Sequence, residues 1–295
     1  MRLKILLLGK NGQVGWELQR TLAPLGEMVA LGRPELDLAE FDRIRQVVRE
    51  VKPELIVNAA AYTDVDAAET EQEHARAVNG IAPGILAEEA RSLGAVLVHY
   101  STDYVFDGAK GEPYVEEDAP NPLNVYGATK LEGERAIQAV GAPHLIFRTS
   151  WVYSLRRECF VTKVLRWARE QSVLRIVDDQ VSTPTWCRMI AEAMAEILSG
   201  ASRDVRAFAG RFSGLYHLAA SGAASRYQWA QAILEDALDF EPENDPRLLP
   251  AKSREFNSPA LRPQYSVLDC GLLGNHMSVQ MSHWRAGLSS ALRDK

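Results

Sequence analysis

The chain has 295 residues and a formal net charge of −6 at pH 7, with arginines spread along it rather than clustered. That length can bury a large core, as one domain with an appended lobe or as two domains, and the acidic balance argues against nucleic acid as the main partner. The apolar run Ile5 to Leu8 before Gly9 is too short for a signal peptide or a membrane span, so a soluble cytoplasmic protein with no membrane partner is expected. Cys159, Cys187 and Cys270 have neither metal-ligand nor redox spacing and read as packing residues.

Leu3 to Leu8 is a nearly continuous apolar run ending at Gly9, as expected for a parallel strand buried on both faces. Gly9-Lys10-Asn11-Gly12-Gln13-Val14-Gly15 follows and leads into a helix through Leu22. Absent side chains at Gly9 and Gly12 would let the backbone approach a pyrophosphate at a helix N-terminus, and Gly15 would let helix and strand pack closely. The alternative is a plain strand-to-helix turn. Met28 to Leu31 is a second strand, followed by Gly32-Arg33 with no immediate carboxylate. Arg33 could pair with a 2′-phosphate or be a solvated loop residue, and Asp37-Leu38 could border the adenine. A helix over 41–51, a strand over 54–57, a helical stretch over about 66–93 that contains Asn79, and a strand over 95–100 follow. The small residues Ala59 to Ala61 and the pair Ser101-Thr102 fall at the carboxyl ends of these strands. The alternation predicts a doubly wound parallel sheet with ligands beyond those ends.

Pro122 and Asn124 mark a loop, and a helix starts near Tyr126. Residues four apart share a helical face, so Tyr126 and Lys130 should be neighbours, with the ammonium lowering the phenol's pKa. An ordinary surface pair is the bland alternative. Beyond about residue 150 the pattern is mixed, with helices near 159–170, 186–199, 225–238 and 279–293. Trp151 could line a sugar or sit in a core, Arg262 could clamp a diphosphate or form a surface ion pair, and His217 reads as a core histidine.

Gly9-x-x-Gly12-x-x-Gly15, Asn58-Ala59-Ala60-Ala61, Ser101-Thr102 and Tyr126-x-x-x-Lys130 together resemble the extended short-chain dehydrogenase/reductase superfamily. More narrowly, the set is similar to the dTDP-4-dehydrorhamnose reductase family. Val98-His99-Tyr100-Ser101-Thr102-Asp103-Tyr104-Val105-Phe106, Phe147-Arg148-Thr149-Ser150-Trp151, Gly214-Leu215-Tyr216-His217-Leu218 and Arg262-Pro263 carry that resemblance. It implies a Rossmann-like NAD(P)-binding domain over 1–150 and a smaller mixed α/β lobe over 151–295, mainly for the sugar nucleotide, with elements returning to the sheet. It also implies reduction of the C4 ketone of dTDP-4-dehydro-L-rhamnose to dTDP-L-rhamnose, a step in cell-surface polysaccharide synthesis. Thr102, Tyr126 and Lys130 would be catalytic. Gly9, Asn11, Gly12, Gln13, Val14, Arg33, Asp37, Leu38, Ala59, Ala60, Ala61, Tyr62, Asn79, Ser101, Tyr126 and Lys130 would hold the cofactor, and Thr102, Asp103, Val105, Trp151 and Arg262 the substrate. NADPH is expected ahead of NADH, with both accepted.

Some relatives bind Mg2+ through acidic residues that bridge a dimer. Glu17 fits one such position, no metal is predicted, and a homodimer is left open. The loop Ser154 to Phe160 departs from the glycine- and asparagine-containing pattern common in the family. Related dehydratases carry an Asp-Glu pair after the catalytic Thr, whereas this chain has Asp103-Tyr104 and so lacks that base. A sugar-nucleotide epimerase, or a non-catalytic regulatory subunit of the same fold, remains the alternative.

Overall fold

The computed structural model describes residues 2–201, 204–237 and 246–294. In chain order the first half forms β1 (Leu3–Leu8), α1 (Gln13–Leu22), β2 (Gly26–Leu31), α2 (Phe41–Val51), β3 (Leu55–Asn58), α3 (Gln72–Arg76), α4 (Ala82–Leu93), β4 (Val96–Thr102), α5 (Val125–Val140) and β5 (His144–Thr149). The second half adds β6 (Val152–Tyr153), α6 (Phe160–Glu170), β7 (Val173–Val177), β8 (Val181–Ser182), β9 (Thr185–Trp186), α7 (Cys187–Gly200), α8 (Val205–Phe212) and β10 (Gly214–His217). It ends with β11 (Ala224–Ser225), α9 (Arg226–Asp236), β12 (Arg247–Ala251), α10 (Gly271–Met277) and α11 (Trp284–Arg293).

Six strands form one parallel sheet in the order β2, β1, β3, β4, β5, β10, which reverses direction of travel at β1 and β3. The alternation of β1 explains the two layers around it. Ile5 and Leu7 enter a core with Leu18, Leu22, Ile190 and Met194 from α1 and α7, while Leu6 and Leu8 enter another with Ile44, Val48, Leu86 and Ile137 from α2, α4 and α5. A sheet covered on both faces needs strands that are apolar throughout, which is why β1 and β3 read as unbroken runs. The carboxyl ends of β1, β3 and β4 are therefore the open crevice of the doubly wound sheet.

Several elements differ from the sequence expectation. The stretch over 66–93 is broken into a 3₁₀ turn (Ala67–Glu69), α3, a π turn (Ala77–Ile81) and α4. Pro83 has no N–H for the Asn79 carbonyl, and a widened turn before it accommodates the loss. The last helix starts at Trp284, where the His283 side chain caps the Arg285 N–H, and not at 279. Two short helices were missed: α8, capped by Asp204 on the Arg206 and Ala207 N–H groups, and α10. Position 238, the expected end of another helix, lies outside the described residues, and α9 runs to Asp236.

Candidate active site

The glycine-rich turn closes on the start of the β3 loop. Gly9 adopts φ +85°, and a Cβ there would come within 2.7 Å of the Ala60 nitrogen, while one on Gly15 would meet the Gly9 carbonyl oxygen at 2.0 Å. Only glycine permits both approaches. Gly12 caps α1 without a side-chain bond, and the Gln13 Oε1 is buried with no partner among the described residues. Val14 is half-buried, and the exposed Asn11 accepts a bond from Arg157 Nη1 at its carbonyl, 2.8 Å. A backbone cradle with free helix N–H groups fits a dinucleotide pyrophosphate.

After β2 the loop brings back the carboxylates that follow Arg33 in sequence. The chain turns back so that Glu35 accepts from the Gly32 N–H at 2.8 Å and from Lys10 Nζ at 2.6 Å. Asp37 takes the Arg33 guanidinium at 3.0 Å and the Ala39 N–H at 2.9 Å, and Arg33 is largely exposed. Leu38 is in the core beneath the sheet. Asn79, assigned to the cofactor from sequence, is also spent internally: it pairs both ways with the Tyr62 backbone and donates to Thr129, bolting the β3 loop to α5. Tyr62 donates its hydroxyl to Glu71. Ala59, Ala60 and Ala61 leave their backbone along the crevice, with Ala60 N bonded to Asn58 Oδ1.

At the end of β4 the expected trio meets, in a different arrangement. Asn124 caps α5 on the Gly127 N–H, and Gly127 packs so close to the Tyr104 carbonyl that a Cβ would lie 2.1 Å from it. This contact brings the Tyr126 phenol within hydrogen-bond reach of the Thr102 hydroxyl, which also accepts the Tyr104 N–H at 3.1 Å and donates to Asp103 at 3.2 Å. Lys130, however, does not bond Tyr126. Its ammonium donates to the Tyr100 carbonyl at 2.6 Å and lies 3.1 Å from His99 Nε2. Burial raises the phenol's pKa above the usual tyrosine value, and the Thr102 bond works against that rise, so the sequence idea of a lysine-depressed phenol is corrected. Lys130 itself is 1% exposed, and burial lowers its pKa from 10.5 to about 8. Hydrogen-bond bookkeeping agrees. Asn58 Oδ1 takes the Ala60 N–H, so its amide nitrogen faces His99 Nδ1 at 3.1 Å, which assigns the imidazole proton to Nε2, pointing at Lys130. Burial holds His99 neutral, well below its ordinary pKa.

Three further residues assigned to ligands from sequence have their side chains engaged or buried within the protein. Ser101 turns its hydroxyl into the interior, donating to Glu134 at 2.5 Å beside the Glu134–Arg148 pair at 2.7 Å, because it alternates with Thr102 across the strand. Asp103 is 2% exposed and accepts from Ser182 at 3.0 Å and Ser266 at 2.5 Å, tying the second half of the chain to β4; its burial pushes the carboxyl up to about 6. Val105 is fully buried with Phe106, Tyr114, Leu131 and Leu268, on the core side of its 3₁₀ turn. His217 is a core histidine as read, bonded to the Asp269 carbonyl at 3.0 Å and lowered to about 3 by burial.

The remaining wall comes from the second half. Trp151, half-buried at φ +40°, stacks beside Trp229, with the Arg226 guanidinium 3.7 Å over its ring. Arg262 pairs with Asp66 at 2.7 Å, and both it and Arg226 lie close enough to the Tyr104 phenol to lower its pKa against the rise that burial causes. The Tyr104 ring meets Tyr126 edge-on with centroids 5.9 Å apart. Sequence reasoning missed Arg226, Glu134 and the bonding of Tyr104. Only chain distances of dozens to more than a hundred residues separate these partners, and no local pattern reports that.

The doubly wound sheet, its glycine cradle and the Thr102-Tyr126-Lys130 set define the class: a Rossmann-fold oxidoreductase of the extended short-chain dehydrogenase/reductase type. Comparison with known proteins narrows it. The family model described as the RmlD substrate binding domain matches residues 3–295. The chain is 43% identical to dTDP-4-dehydrorhamnose reductase of Burkholderia thailandensis and 40% identical to that of Escherichia coli K12, covering 99% of this chain and 99% and 98% of the relatives. The crystal structure of dTDP-4-dehydrorhamnose reductase from Bacillus anthracis in complex with NADP superposes with a TM-score of 0.89 at 31% identity over 100% of both chains. The chain belongs to the RmlD family.

Proposed function

We infer that the chain reduces the C4 ketone of dTDP-4-dehydro-L-rhamnose to the alcohol, giving dTDP-L-rhamnose, with NADPH as the preferred reductant and NADH accepted. The relatives' activity and the NADP bound by the Bacillus anthracis protein support this reading. The single observation that carries it is the Tyr126 phenol set beside the Thr102 hydroxyl at the carboxyl end of β4, by the close contact of Gly127 with the Tyr104 carbonyl.

When bound, the nicotinamide supplies a hydride to the carbonyl carbon. Gly9, Gly12, Ala59 and Ala60 would hold its pyrophosphate and flank with backbone alone, which fits the distances at which a Cβ would clash. Tyr126 donates its proton to the oxygen that becomes the alkoxide, and its raised pKa keeps that proton in place until negative charge develops. Thr102 turns its hydroxyl from Asp103 to the same oxygen as a second donor. Lys130 leaves the Tyr100 carbonyl for the nicotinamide ribose. Trp151 and Arg262 would receive the sugar nucleotide, residues 1–150 mainly the cofactor and 151–295 mainly the substrate. Glu17, held by Arg20 and Arg188, is not proposed to take a metal.

Elimination chemistry lacks its base, because Tyr104 stands where dehydratases carry a carboxylate and its buried phenol is raised further from ionisation. NADPH consumption, followed spectrophotometrically with a panel of nucleotide ketosugars, tests the assignment. Oxidation only with the dTDP-ketosugar is expected. Isolation with tightly held oxidised cofactor would favour an epimerase, and no turnover with any ketosugar would refute the reading.

A further inference from the structure

We propose that Arg226 is the second arm of a diphosphate clamp, acting with Arg262 and the Tyr104 hydroxyl. The proposal rests on the nucleotide-sugar reading above. Arg226 opens α9 directly after the Ser225 capping box, so its backbone is fixed, and its guanidinium is pinned 3.7 Å over Trp151 and 5.1 Å from the Phe160 ring. Arg262, its neighbour across Tyr104, ends on the Asp66 carboxylate. Among the described residues, no carboxylate lies in salt-bridge range of Arg226, although the side chain is half-buried. Ring faces compensate a desolvated cation only partly.

Tyr104 makes the imbalance worse. Tyr104 lies beside both Arg226 and Arg262, so two cations face one neutral phenol, and each lowers the phenol's otherwise raised pKa. Two guanidinium groups and one hydroxyl donor, with Asp66 offsetting only the Arg262 charge, have the chemistry of a site for a multiply charged oxyanion. The adjacent Trp151 ring suits the attached pyranose, and the Tyr104–Tyr126 contact links the clamp to the reacting carbonyl. Substrate seated through its diphosphate would therefore be registered against the catalytic phenol.

The test is a binding ladder of thymidine, dTMP and dTDP measured by calorimetry on the NADPH-loaded protein and on Arg226→Gln and Arg226→Lys. In the parent, affinity should climb at each added phosphate. Arg226→Gln should lose about tenfold to a hundredfold in dTDP affinity, as expected for a charge-assisted contact, with thymidine and NADPH binding within about twofold of the parent. Arg226→Lys should recover part of the loss. Unchanged dTDP affinity in Arg226→Gln, or an equal loss for thymidine and dTDP, overturns the clamp. A parent that ignores dTDP refutes the nucleotide-sugar reading instead. In that event, or if Arg226→Gln also loses NADPH and has misfolded, titration of the parent with inorganic pyrophosphate decides: saturable quenching of tryptophan fluorescence supports the clamp, and none overturns it.

Discussion

Lys130→Met should stabilise the cofactor-free protein while crippling it. The ammonium is 1% exposed, donates to the Tyr100 carbonyl but faces the Nε2–H of His99, and the carboxylate that acts on it, Glu134, is already taken by Ser101 and Arg148. Depressing its pKa from 10.5 to about 8 corresponds to about 3 kcal/mol of folding free energy lost at pH 7. Methionine has a similar shape and removes that cost, less about 1 kcal/mol for the lost Tyr100 bond, which leaves a net gain of about 2 kcal/mol. The pH dependence fixes the cause. The folded state holds this proton more weakly than the unfolded chain, so between about pH 8 and 10.5 the unfolded chain binds more protons and the parent gains stability as pH rises. The advantage of the variant should therefore shrink by about 1 kcal/mol between pH 7 and pH 9. Urea denaturation of both apo proteins at the two pH values measures this. A variant less stable than the parent at pH 7, or an advantage that does not change with pH, refutes the argument. The same variant should raise KM for NADPH and lower kcat together, since the ammonium is proposed to hold the ribose; loss of kcat alone would remove that role.

Tyr126→Phe should fold and bind NADPH like the parent, with kcat reduced at least the roughly hundredfold of a missing general acid, and retention of most of kcat would refute the assignment. Gly127→Ala drives a Cβ to 2.1 Å from the Tyr104 carbonyl, a backbone atom that cannot swing away, so helix α5 must shift. We expect a loss of about 1–3 kcal/mol in thermal or urea unfolding, together with a fall in kcat, and a parent-like enzyme would show that the contact does not set the Tyr126–Thr102 distance. For cofactor choice, Arg33 is engaged by Asp37 and largely exposed, and Glu35 sits beside Gly32, so Arg33→Ala should lower the NADPH-to-NADH ratio of kcat/KM by less than about tenfold. Glu35→Gln should raise that ratio by removing a charge that opposes the 2′-phosphate, and a fall would place Glu35 elsewhere.

The one-dimensional pattern of residues determined the Rossmann half of this protein. Unbroken apolar strands, the glycines at 9, 12 and 15 and the Asn124 cap each act within a few residues, through backbone sterics and local hydrogen bonds, so β1, α2 and the start of α5 were legible directly. Motif spacing also singled out Thr102, Tyr126 and Lys130. Tertiary structure alone decided how they are connected, because burial and bonding depend on partners remote in sequence. Helical spacing put Lys130 on the side of Tyr126, but the carbonyl of Tyr100, thirty residues upstream, took its ammonium. Strand alternation sent Ser101 inward to Glu134, and Asp103 was claimed by Ser182 and Ser266 from the other half of the chain. Arg226 shows the limit most plainly: in sequence it is a polar residue at a helix start, and only folding brings it over Trp151 and beside Tyr104, where its charge acquires a chemical meaning.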